Sequence, residues 1–157
     1  MIIIGIDPGT QTTGWGIVKK DGHSVTHVDN GVISPSAKLD LAQKLLHIHK
    51  ELTLIIRQYK PECAAVEEVF VAKNVRSALI LGHARGVALL AVSQAALPVH
   101  EYSTREIKKA LVGYGNAEKA QVAMMVKNLL KLPEVASPDA ADALAAAICH
   151  AQTKHFT

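Results

Sequence analysis

Three short apolar runs open the chain, and each is closed by turn chemistry. Residues 2–6 and 14–19 are separated by Asp7-Pro8-Gly9-Thr10, and Asp21-Gly22 marks a hairpin before a third run over 24–34. These predict three antiparallel strands. The period then changes. Leu41, Leu45, Ile48, Leu52, Ile55 and Tyr59 recur at spacings of four and three, one face of a long helix that stops before Pro61. Residues 63–69 are apolar apart from two glutamates and predict a buried strand. Residues 77–97 are Ala-rich and apolar, enough for about five helical turns, and 98–102 predict a short fifth strand. Ser103-Thr-Arg-Glu106 has the form of a capping box, so a helix should start there and stop near Gly113 and Gly115. Two more helices are predicted over 117–132 and 138–153. Strands alternating with helices after an antiparallel start predict an α/β fold, a mixed five-stranded sheet flanked by helices, with residues 1–157 forming a single domain.

Composition narrows the class. A length of 157 residues suits one core, and 49% apolar with 20% charged residues is an ordinary globular balance. Only six residues are aromatic, so the core must be built from Ala, Val, Leu and Ile. The uninterrupted apolar stretches 87–92 and 143–149 fall short of the roughly 18 residues of a membrane span, and no membrane association is expected. Residues 1–6 lack a basic flank and meet Asp7 at once, unlike a signal peptide. Cys63 and Cys149 lack metal-type spacing, which suits a reduced, cytoplasmic setting. The net charge of +3 is uneven: nine Lys/Arg and three acids between residues 73 and 131 give +6, leaving −3 for the rest. That division suits an enzyme that binds a polyanion and also holds cations. On charge alone, solvated helix faces are the simpler account.

The carboxylates carry more. Asp7 ends a run that is to be buried, where an unpaired charge costs several kcal/mol; a turn aspartate bonded to the amides of Gly9 or Thr10 is the alternative. Glu67 and Glu68 interrupt a strand, and period-two geometry sends them to opposite faces, so they cannot share a role. Asp139 and Asp142 follow Ser137-Pro138, an N-cap and first-turn pair, and their spacing places both on one face near the positive helix end. Asp139 could serve the helix terminus alone. Asp142 lies farther in, framed by Ala140, Ala141, Ala143, Ala145, Ala146 and Ala147, whose small side chains let the helix lie close to a sheet. Four such carboxylates can share a site only with cations, because mutual repulsion would raise their pKa values. Oxygen-only donors select hard ions such as Mg²⁺ or Mn²⁺, and two such ions can activate water and stabilise the leaving oxygen of a phosphodiester.

Several blocks together resemble the RuvC family, the bacterial Holliday-junction resolvases. They are Ile4-Gly-Ile-Asp-Pro-Gly-Thr10, Thr13-Gly-Trp-Gly16, Val66-Glu-Glu-Val-Phe-Val-Ala-Lys-Asn74, Leu81-Gly-His-Ala-Arg-Gly-Val87, Ala117-Glu-Lys-Ala-Gln-Val122, Leu129-Leu-Lys-Leu-Pro133 and Asp139-Ala-Ala-Asp-Ala-Leu144. The resemblance implies a ribonuclease-H-like fold and a homodimer that uses Mg²⁺, with Mn²⁺ as substitute and two ions per site. It implies an enzyme that cuts two opposing strands of four-way junction DNA symmetrically, in recombination and repair. A branch-migration motor of the RuvA–RuvB type is the implied partner. By position, Asp7, Glu67, Asp139 and Asp142 become catalytic metal ligands, the first glutamate of the doublet being selected only by the resemblance. Phe70, Lys73, Arg76, Lys108 and Lys119 become the DNA-contacting set, against the alternatives of a core aromatic and solvated lysines. For the dimer, the 77–97 helix is the expected contact, since Leu79, Leu81, Val87, Leu90 and Val92 exceed one covered face, and Ala78, Gly82, Ala84 and Gly86 permit close approach.

Two rival readings stay open at this point. Asp7-Pro-Gly-Thr10 with Thr13 and Gly14 also resembles the phosphate hairpin of actin-like ATPases and sugar kinases, although those clamp nucleotide between two such domains. A junction- or RNA-binding module without catalysis would lack the carboxylates.

Overall fold

Strand β1 (Ile2–Asp7) lies at the centre of the sheet, with β2 (Thr13–Asp21) on one side and β4 (Cys63–Glu68) on the other. The computed structural model describes residues 1–68 and 73–153. The strand order is β3-β2-β1-β4-β5, where β3 spans Ser24–Ile33 and β5 spans Val99–Ser103. The β1–β2 and β2–β3 pairs are antiparallel, whereas β1–β4 and β4–β5 are parallel, so the mixed five-stranded sheet is as expected. The β2–β3 hairpin differs by one residue from the expected turn. Asp21 still pairs with Ser24, so the turn is Gly22-His23, with Gly22 supplying the positive φ of 58°.

Two cores form on the two faces. One face packs Ile4, Ile6, Ile17, Ala64 and Val66 against α1 (Leu41–Tyr59) and α2 (Val75–Gln94). The other packs Ile3, Val18, Cys63 and Ala65 against α3 (Thr104–Val112), α4 (Lys119–Leu130) and α5 (Pro138–Gln152). Alternation along β1 and β4 therefore assigns each strand-end acid. Asp7 follows Ile3 and Gly5 onto the α5 face; Glu67 follows Cys63 and Ala65 to that same face, and Glu68 follows Ala64 and Val66 to the opposite one.

The α5 helix lies directly on β1 and β2 because glycines remove the intervening side chains. A Cβ at Gly5 would lie 1.8 Å from the Ala143 oxygen, and one at Gly14 would lie 2.0 Å from the Asp139 oxygen. Residues 143–151 of α5 are buried throughout. Ser137 occupies the N-cap position, but its side chain makes no capping bond, leaving Pro138 to start the helix. By contrast, the Ser103–Glu106 capping box forms as expected, with Ser103 Oγ accepting the Glu106 amide at 3.1 Å and Glu106 Oε2 accepting the Ser103 amide at 2.7 Å. In α1 the stripe is buried from Ile48 to Ile56, whereas Leu41 at the first turn is exposed.

Helix α2 does not follow an amphipathic pattern. Only Ala84, Ala88, Ala91 and Val92 are buried, while Leu79 and Leu90 are 62% and 51% exposed. Ala84 and Val92, expected on an outward contact face, point inward, because the small residues are what lets α2 lie against the sheet and α1. Among the described residues, α2 is also the one helix long and apolar enough by length and composition to cross a membrane. Arg76, His83 and Arg85 interrupt its apolar runs, which is why no uninterrupted stretch in the sequence reached that length.

Candidate active site

Asp7, Glu67, Asp139 and Asp142 line one cleft of about 370 Å³, together with Thr104, Ile107, Lys108, Lys119, Val122 and Ala145. The four acids come from three elements: the ends of the neighbouring strands β1 and β4, and the first two turns of α5. The turn alternative for Asp7 is taken up by another side chain. Thr13 Oγ1 donates to the Gly9 oxygen at 2.7 Å and accepts the Gly9 amide at 3.2 Å, which closes the β1–β2 turn. The Asp7 carboxylate is left to the cleft.

The electrostatics of the cleft are those of crowded anions. Burial, and then Asp142, Asp139 and Glu67, push the Asp7 carboxyl up to about 7. Lys119, at the start of α4, places its ammonium 2.8 Å from Asp142 Oδ2, and that bond raises its own pKa. Lys119 is exposed and Asp142 nearly buried, so the lysine reaches in from the rim. A cation drawn into a set of oxygen donors is the behaviour a divalent ion would show there, and the all-oxygen chemistry fits a hard one. The Thr104 hydroxyl donates to Glu67 Oε1, and Arg85 Nη1 donates to the Glu67 main-chain oxygen at 2.6 Å.

Of the expected DNA-contacting residues, Lys108 and Lys119 line the cleft. Lys73 and Arg76 are exposed at and just before the start of α2, apart from the cleft lining. Phe70 lies outside the described residues. Asp139 also borders a second hollow of about 470 Å³, formed by Gly9, Thr10, Gln11 and Thr12 of the turn and by Ser77, Ile80 and Leu81 of α2. Thr104, Arg85 and Glu101 were not singled out from the sequence. For Thr104 the available signal was its place directly after the N-cap Ser103, where β5 ends beside β4.

A second group of potential metal donors is present. Cys63, His100 and His150 have ligand atoms within 4.8 Å of one another. They lie toward the far end of α5, eight residues or about 12 Å beyond Asp142. His150 Nδ1 pairs with the Tyr102 hydroxyl at 2.6 Å, the two imidazoles stack with centroids 4.1 Å apart, and burial pushes the Cys63 thiol up to about 11.

A ribonuclease-H-like sheet presenting an acidic, cation-attracting cleft defines a metal-dependent nuclease. Residues 3–150 match the family profile "Crossover junction endodeoxyribonuclease RuvC". The chain belongs to the RuvC family, the endonucleases that resolve four-way (Holliday) DNA junctions by paired symmetric nicks in recombination and repair. It is 56% identical over 153 residues to the RuvC of Citrifermentans bemidjiense, covering 98% of this chain and 93% of that one. It is 55% identical over 156 residues to that of Syntrophotalea carbinolica, covering 99% and 97%. The Thermus thermophilus RuvC solved in complex with a Holliday junction superposes with a TM-score of 0.90 at 35% identity, covering 96% of this chain and 93% of that one. The nucleotide-clamp and non-catalytic readings give way to this membership.

Proposed function

We propose that Asp7, Glu67, Asp139 and Asp142 are the catalytic carboxylates of this resolvase, and that they hold Mg²⁺, or Mn²⁺ in its place, at two positions per site. One observation carries the assignment: the four share a cleft in which Asp7 is pushed up to about 7 and a lysine ammonium is already drawn onto Asp142. The ions, when bound, supply Lewis acidity to the scissile phosphate and its attacking water. The protein's part is positional. Adjacent strand ends hold Asp7 and Glu67 side by side on one face, and the glycine contact with β2 holds the first turns of α5 above them. Lys108 and Lys119 bring positive charge to the same cleft, where they attract and orient the phosphate backbone.

The substrate has two equivalent strands to cut, so a twofold pair of sites delivers both nicks without the protein turning over. We therefore assign a homodimer, formed through the exposed apolar face of α2, with Phe70, Lys73 and Arg76 on the junction and a RuvA–RuvB-type motor as a further partner. Gly82 and Gly86 have open space beside them on α2, which supports close helix approach. Residues 1–157 are read as one nuclease domain, and the free, buried Cys63 and Cys149 support a cytoplasmic setting.

The test is a synthetic four-way junction incubated with the protein and Mg²⁺. Two symmetric, ligatable nicks are expected. Asp7→Asn should abolish them by several orders of magnitude while leaving junction binding intact, and Glu68→Gln should do much less. An Asp7→Asn protein that cuts at the parental rate would overturn the metal-site assignment.

A further inference from the structure

Glu67 is held at both ends by other elements. Its main-chain oxygen accepts Arg85 Nη1 of α2 at 2.6 Å, and the Nη2 of the same guanidinium pairs with Glu101 of β5. Its carboxylate Oε1 accepts the hydroxyl of Thr104, the first residue of α3. The position of Thr104 is itself determined. Ser103 pairs with Glu68 at the end of the β4–β5 ladder and then caps α3 through its reciprocal box with Glu106. The hydroxyl that meets Glu67 is thus set by the sheet register on one side and a helix cap on the other.

A glutamate has three side-chain torsions, and at a half-buried strand end it would otherwise spread over several rotamers. Holding one carboxylate oxygen on Thr104 removes that freedom. The remaining lone pairs are left for the cleft shared with Asp7, Asp139 and Asp142. Arg85 does the same for the backbone, tying the end of β4 to α2 and β5 through a half-buried side chain. Hydrogen-bond partners of metal-ligating carboxylates typically influence metal affinity by about 10–100-fold.

We propose that Thr104 and Arg85 are positioning residues that preset the Glu67 carboxylate for a divalent cation, and that Arg85 thereby ties α2, the helix with the exposed apolar face, to the metal site. The proposal rests on the reading of Glu67 as a metal ligand. The structure supplies an independent reason for both residues: Thr104 is exposed, and the guanidinium of Arg85 is engaged by polar groups of β4 and β5, so both contacts are polar ties rather than core packing.

Calorimetric titration of Mn²⁺ into the metal-free protein measures this without any cleavage. Thr104→Val should weaken Mn²⁺ binding about tenfold or more, Thr104→Ser should restore it, and Arg85→Lys should weaken it. In cleavage assays, Thr104→Val should shift the metal concentration at half-maximal rate far more than the rate at saturating metal, with metal-free melting temperatures unchanged. Glu67→Gln is run in parallel. If it binds Mn²⁺ as the parent does, the metal-ligand reading of Glu67 fails, and this proposal with it. If Glu67→Gln loses binding while Thr104→Val and Arg85→Lys keep parental affinity, the positioning proposal alone is overturned.

Discussion

A Cβ on Gly14 would lie 2.0 Å from the main-chain oxygen of Asp139, so the strand opposite Asp7 is in direct backbone contact with the first turn of α5. Gly14 is the register partner of Asp7, and the contact therefore sets the height of Asp139 and Asp142 above the strand acids. Gly14→Ala must push that turn outward, because the atom it meets is backbone and cannot rotate away. A loss of cleavage of about 100-fold is expected from a displacement on the order of 1 Å, with a lowered melting temperature. Parental cleavage by a folded Gly14→Ala protein would remove this account of how the helix is placed.

The raised pKa of Asp7 makes stability depend on pH. The folded value is about 7 against an ordinary 3.8, so between about pH 4 and pH 7 the folded state keeps a proton that the unfolded chain has released. Stability of the metal-free protein should therefore fall as pH rises through that window and stay low above it. Asp7→Asn should match the parent near pH 4 and melt higher at pH 8, by about 5 °C after allowance for solvent screening. Added Mg²⁺ should raise the parent's melting temperature more at pH 8 than at pH 5, because binding requires the ionised carboxylate. Identical melting curves against pH for parent and Asp7→Asn would contradict the crowded-anion site.

Junction binding should weaken steeply with salt. Neutralising the four cleft carboxylates takes the formal charge from +3 to +7, and each phosphate contact adds about 0.9 to the slope of log affinity against log salt. Replacing Lys73 or Arg76 with alanine should lower that slope by about one each, with cleavage chemistry preserved. Affinity that stays flat across a salt titration would argue against backbone contacts by this basic stretch.

The α2 face can be tested without touching the cleft. Leu79→Glu places a charge on a residue that is 62% exposed in one copy of the chain, so the monomer should fold and melt nearly as before. Sedimentation should then show a shift from dimer to monomer, and the two nicks should become uncoupled. Gly82→Ala sharpens the result. It has open space beside it in one copy and should gain about 1 kcal/mol of helix propensity, yet crowd a partner helix. A parent that sediments as a monomer, free and on junction DNA, would end the dimer assignment.

Local pattern determined a great deal of this protein. The order of strands and helices, the break in period after the third strand and the capping box at Ser103 all follow from spacing and turn chemistry over a few residues. Period two alone put Glu67 and Glu68 on opposite faces, because alternation is a property of one strand. Which face carries the site was a different matter. It depends on α5 covering the side of Ile3, Gly5 and Ala65, a contact between segments more than seventy residues apart. The sequence expected Leu79 and Leu90 among the outward residues of α2, and both are exposed, but it placed Val92 with them, which the fold buries, because the composition of an apolar helix does not say which of its residues its own domain covers. The hold on Glu67 by Thr104 and Arg85 exists only because β5, α3 and α2 converge at the end of β4. Residue chemistry is written along the chain, whereas a metal-binding cleft is a set of distances across it, and those are decided by packing.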